Sequence, residues 1–75
     1  MIRYANLNGN SAVASYVMDD TSIVVEFDNR TAYLYTYAST GSANTEEMKS
    51  LAIAGRGLCS FIGKVVKKNF AKKLR

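Results

Sequence analysis

From Ser22 to Phe27 the chain alternates Ile23, Val25 and Phe27 with Val24 and Glu26, and after a short polar turn Tyr33, Tyr35 and Tyr37 repeat the same spacing. Strand side chains point to opposite faces in turn, so this period of two commits the region to half-buried strands. Asp28–Thr31 supplies the turn between them. Upstream, Ala12–Met18 is a third β-prone segment, and Asp19-Asp20 after it carries side chains that bond locally to backbone and favour turns. Residues 12–38 therefore read as a three-stranded antiparallel meander behind an N-terminal segment of about residues 1–11.

The period changes beyond Ser39. Thr40-Gly41-Ser42 is a loop, and Asn44 with Glu47 three residues on resembles a capping box that opens a helix over 44–54. Met48, Leu51 and Ala52 form its apolar stripe, and Gly55 suits the left-handed position that ends a helix. A second helix is expected over 58–74. It gathers Leu58, Phe61, Ile62, Val65, Val66 and Phe70 in one sector and Lys64, Lys67, Lys68, Lys72 and Arg75 in another, with Lys73 outside that cluster. The expectation is a single α+β domain over 1–75, a three-stranded antiparallel meander followed by two helices packed on one face. At 48% hydrophobic and 21% charged residues the chain has a globular composition. With only 75 residues its core is small, so a homodimer is a possible means of burying more surface.

Charge is segregated along the chain. Residues 1–55 hold three cations against six acids, a balance of −3, whereas residues 56–75 hold seven cations and no acid. That asymmetry points to a partner with phosphates, anionic lipid or an acidic protein surface. Part of it serves the helix itself, since cations near a helix C-terminus suit its dipole.

Several chemistries are excluded. Cys59 is the one cysteine and histidine is absent, so neither a Cys/His zinc site nor a histidine-based triad can be assembled. The lone thiol also fits a reducing compartment, and the expected location is cytoplasmic. Residues 1–9 lack the apolar run of a signal peptide, and no stretch approaches the roughly 20 apolar residues of a membrane span. The pairs Asp19-Asp20 and Glu46-Glu47 sit where turns and helix starts favour acids. No poised base faces a nucleophile, so the expectation is a non-enzyme without cofactor or metal.

The tyrosines can be placed in two ways. A two-residue loop at Asn29-Arg30 pairs Phe27 with Ala32 and displays the rings on the face opposite Ile23 and Val25, where they could stack bases. A three-residue loop slips the register by one and buries them. Arg30 fits poorly the positive φ that a two-residue turn demands.

The series Phe27-Asp28-Asn29-Arg30-Thr31-Ala32-Tyr33-Leu34-Tyr35, preceded by Ile23 and Val25, resembles the central signature of the KTSC domain. Ser11, Val13, Tyr16 and Asp19 fall at spacings similar to that family's first strand, and Gly55–Ile62 resembles its small-residue turn into a helix. The family is named for a module at the C-terminus of some lysyl-tRNA synthetases and also occurs as free-standing bacterial proteins. Arg30 stands where the family's turn carries glycine. The resemblance implies RNA as a partner, through the attachment to a synthetase.

The expected function is a nucleic-acid-binding module, for RNA or single strands. Lys64, Lys67, Lys68 and Lys72 would hold phosphates, Arg56 in its glycine-flanked turn would add a cation, and Tyr33 and Tyr35 would stack bases. The alternative is a protein-interaction module that docks the basic helix on an acidic partner. The bland reading of each feature is a solvated lysine face, a simple helix-helix turn at Arg56 and tyrosines that fill the core.

Overall fold

The computed structural model describes residues 2–7, 9 and 12–74. Five strands form one antiparallel sheet in chain order: β1 (Ile2–Arg3), β2 (Val13–Met18), β3 (Ser22–Phe27), β4 (Ala32–Thr36) and β5 (Lys72–Lys73). Between β4 and β5 come α1 (Tyr37–Thr40), α2 (Ser42–Ala54), α3 (Leu58–Phe61) and a π-helical turn, Ile62–Val66. The α+β class holds. The three expected strands occupy the middle of the sheet, and two edge strands flank them.

Register decides the interior. Glu26 pairs with Ala32, Val25 with Tyr33 and Ile23 with Tyr35, so Tyr33 and Tyr35 share a face with Ile23 and Val25. The Phe27 N–H donates to the Thr31 carbonyl and the Arg30 N–H to the Phe27 carbonyl, leaving Asp28, Asn29 and Arg30 as a three-residue loop. Arg30 takes φ 67°, the left-handed position that glycine usually fills in such loops. The Asn29 side chain accepts from the Thr31 N–H at 3.0 Å and helps close the turn. On β2 an extra residue at Ala14 shifts the register between Val13 and Ser15. That bulge turns Val13 to the core face, opposite Phe27, where strict alternation would have sent it outward with Ser15.

Val13, Tyr16, Ile23, Val25 and Tyr35 of this face pack against Met48 and Ala52 of α2, Leu58 of α3 and Ile62 and Val66 of the π turn. Tyr4, arriving from β1, joins them, and its hydroxyl accepts the Leu58 N–H at 3.3 Å. β4 ends at Thr36, two residues before the expected Ala38. The Thr36 hydroxyl accepts the Ser39 N–H while the Ser39 hydroxyl accepts the Thr36 N–H, so the capping box lies here and opens α1. The expected box at Asn44 and Glu47 does not form. α2 begins earlier, behind Gly41 at φ 93°, and the Asn44 amide donates to the Thr40 carbonyl.

The largest departure is at the C-terminus, where the helix expected over 58–74 stops at Val66. The Lys67 N–H closes the π turn on the Ile62 carbonyl at 2.6 Å, and Lys67 itself adopts φ 49° and ψ −117°, which breaks the helix. The chain then folds back. Phe70 lays its ring 4.4 Å from that of Tyr33 and 6.3 Å from that of Tyr35. Ala71 donates to the Leu34 carbonyl and Leu74 to the Ala32 carbonyl, which pairs the open edge of β4. Covering two tyrosines and satisfying a strand edge outweigh the helical pattern of the segment.

Two substitutions test this geometry. Arg30→Gly should raise stability by up to about 1 kcal/mol, because glycine adopts the left-handed turn without a Cβ clash. Gly55→Ala should lower it by about 2 kcal/mol or more, since φ 79° disfavours alanine and the new Cβ would lie 2.7 Å from that of Ala5. Denaturant unfolding of both variants against the parent measures each sign.

Candidate nucleic-acid interface

The cations expected on one helical face are placed on three different supports. Lys64 stands on the π turn, Lys67 and Lys68 on the reversal after it, and Lys72 on the edge strand β5, where Lys73, expected outside that face, joins it; Arg75 lies outside the described residues. All five lysine side chains are exposed. Among the described residues none of them is ion-paired, and the salt bridge that does form joins Lys49 to Glu46 at 2.9 Å. The basic surface therefore persists as a cluster in sequence, but it is a corner and an edge where a helix face was expected.

β5 places its two lysines on opposite sides. Lys73 pairs with Tyr33 and shares the helix-covered face, while Lys72 pairs with Leu34 and shares the open face. Lys67 holds its cation on a backbone conformation that L-residues avoid, at a cost of order 1 kcal/mol or more. Helix geometry accounts for part of the pattern, because Lys64 lies in the last turn and suits the dipole there.

Arg56 is exposed between Gly55 at φ 79° and Gly57 at φ 82°, at the start of the helical run that ends in Lys67. At 1.5 Å per residue, the run from Leu58 to Val66 separates Arg56 from that corner by about 13 Å. The Leu58 N–H that an anion there would use is already taken by the Tyr4 hydroxyl. Arg56 is thus apart from the lysine cluster, in a turn whose first amide is satisfied.

Tyr33 and Tyr35 are not displayed. The Tyr35 side chain is 1% exposed, and burial pushes its hydroxyl up to about 12, so it stays protonated. Tyr33 is half-buried between Phe27, 5.9 Å away and edge-on, and Phe70. The three-residue loop thereby turns the stacking platform into core. Tyr37 leaves the strand altogether and opens α1. Cys59 is half-buried against the core, and among the described residues no group of three acids or thiols could hold a metal ion. No described helix is long and apolar enough to cross a membrane.

Three of the acids, Asp19, Asp20 and Glu46, lie around one end of the sheet, where the β2–β3 turn meets α1 and α2. Hydrogen bonds from the Ser22 hydroxyl at 2.7 Å and the Thr21 N–H at 3.1 Å hold the Asp19 carboxyl below its ordinary range. Glu46 accepts from the Tyr37 hydroxyl and from Lys49, and these two donors, in that order, lower its pKa. Lys49 also donates to the Asp20 carbonyl at 2.8 Å and lies 5.7 Å over the Tyr37 ring. The cluster is a structural clasp between turn and helix, built from acids that sequence spacing alone marks only as turn and cap residues. A cleft of about 340 Å³ opens near β1, lined by Arg3, Tyr4, Asn6, Ala14 and Asp28. Sequence reading gave no sign of it, because the bulge at Ala14 and the path of residues 3–6 create it.

No protein-family model matches the chain, and neither a curated protein nor a solved structure matches it. The similarity to the KTSC domain accordingly stands on the residues quoted for it.

The clasp has a pH signature. A Glu46 whose folded value lies below its ordinary 4.5 stabilises the fold fully above about that pH and loses the contribution as pH falls through the folded value. Glu46→Gln should therefore flatten the acid side of a melting-temperature profile relative to the parent. Thermal unfolding from neutral to acid pH measures it.

Proposed function

We propose that this chain is a non-enzymatic nucleic-acid-binding module that holds phosphates through Lys64, Lys67, Lys68, Lys72 and Lys73. The observation that carries the reading is the set of five exposed lysines without an ion-pair partner among the described residues. Asp19 and Glu46, meanwhile, are tied up at the β2–β3 turn. Unneutralised cations that are concentrated on one segment release counterions from a phosphate backbone. Lysine ammonium groups act as point charges and lack the fork that reads a base edge, so the contact is independent of sequence. The KTSC resemblance favours RNA among nucleic acids. Tyr33 and Tyr35 are withdrawn from the contact set, as is Arg56.

The lysines on β5 also protect an edge strand from pairing with other chains. A protective role alone needs no affinity for phosphate, and that difference is measurable. In anisotropy titrations at low salt, labelled RNA should bind, with the logarithm of affinity falling by about 0.7 per contacted phosphate per logarithm of salt on a single strand. The triple change Lys64→Glu, Lys67→Glu and Lys68→Glu should weaken binding by roughly tenfold or more, while Arg56→Glu should change it little. No binding at tens of micromolar protein, or equal losses from both variants, would sink the assignment.

A further inference from the structure

Nucleic acid can be held by stacking, which requires rings at the surface, or by charge, which favours a high density of phosphates. All eight aromatic side chains are placed in this fold. Tyr4, Tyr16 and Tyr35 are buried, and Phe27, Tyr33, Tyr37, Phe61 and Phe70 are half-buried. Next to the lysines, Tyr33 and Phe70 cover one another at 4.4 Å, and Phe27 closes the other side of Tyr33. The open face of the sheet offers Val17, Val24, Glu26 and Leu34, and no ring. The basic surface thus lacks the platform by which single strands are gripped.

Its shape points the same way. β5 is an outer edge of the sheet with Lys72 on the open side and Lys73 on the helix side. Lys67 and Lys68 stand on the reversal that leads into that edge. Cations on both flanks of one ridge can reach two rows of phosphates when the ridge lies along a groove. A lone strand offers one row, to which only one flank can turn. A duplex also carries one charge per about 1.7 Å of axis and releases about 0.9 counterion per contact, against about 0.7 for a single strand.

Resting on the phosphate-binding reading above, we infer that the preferred ligand of the β5 edge is a double-stranded nucleic acid, gripped by its two phosphate rows without base readout. RNA and DNA duplexes share the chemistry used here.

The test is an anisotropy competition with the full chain at one low salt concentration, using an RNA duplex, a DNA duplex and a single-stranded RNA of equal length. The duplexes should bind roughly tenfold tighter than the single strand. Lys72→Glu and Lys73→Glu should each weaken duplex binding several-fold, and Lys72→Gln and Lys73→Gln, which keep the backbone pairing and add no negative charge, should do so to a smaller degree. A gap between the RNA and DNA duplexes names the source; parity assigns both. A single strand bound as tightly as either duplex would overturn the inference, as would a Lys72 or Lys73 change without effect on duplex affinity. If the single strand wins while reversal of Lys64, Lys67 and Lys68 still abolishes binding, only the duplex assignment falls. If nothing binds, the broader reading falls with it.

Discussion

The turn Asp28–Arg30 fixes which side of the sheet becomes the interior. With three residues in the loop, Tyr33 and Tyr35 face Val25 and Ile23, and two large rings join a core that already holds Tyr4 and Tyr16 among its aliphatic side chains. The helices then have a broad surface to cover, and Phe70 gains a partner that draws the C-terminal segment back onto β4. One fewer residue in that loop would place the rings outside and leave Phe70 nothing to cap. The position of every lysine after Val66 therefore depends on a backbone angle at Arg30, about forty residues earlier in the chain at its furthest.

Electrostatics divides the molecule into an occupied part and an unoccupied one. At the β2–β3 turn, Asp19 and Glu46 are enclosed by hydroxyl, amide and ammonium donors, and their charge is spent on holding turn to helix. Along Lys64–Lys73 the charges point to water. Among the described residues no ion pair ties those lysines to the rest of the fold. The proposed contact with a polyanion rests on this separation more than on the modest net charge of +4.

Much of the architecture could be read from the sequence, and the errors share a cause. The period of two located β3 and the start of β4, Gly55 marked the end of α2, and Leu58 marked the next helical start. The two-residue strands β1 and β5 carry too little pattern to reveal themselves, because pairing with a neighbour defines them. Helical periodicity over 58–74 was present but lost to tertiary contacts, as the pairing of Phe70 with Tyr33 and the bonds of Ala71 and Leu74 to β4 show. The basic residues were visible as a set. Their arrangement about an edge was not, since it follows from the chain reversal at Lys67.

Lys67 places two demands on one codon. Its φ of 49° and ψ of −117° favour glycine, whose substitution there would relax the backbone. The same change would delete a cation from the corner that leads into β5. Backbone ease and local positive charge thus pull this position in opposite directions. A sequence shaped by stability alone would be free to drift toward glycine at 67, whereas the lysine that stands there keeps its charge at the cost of strain.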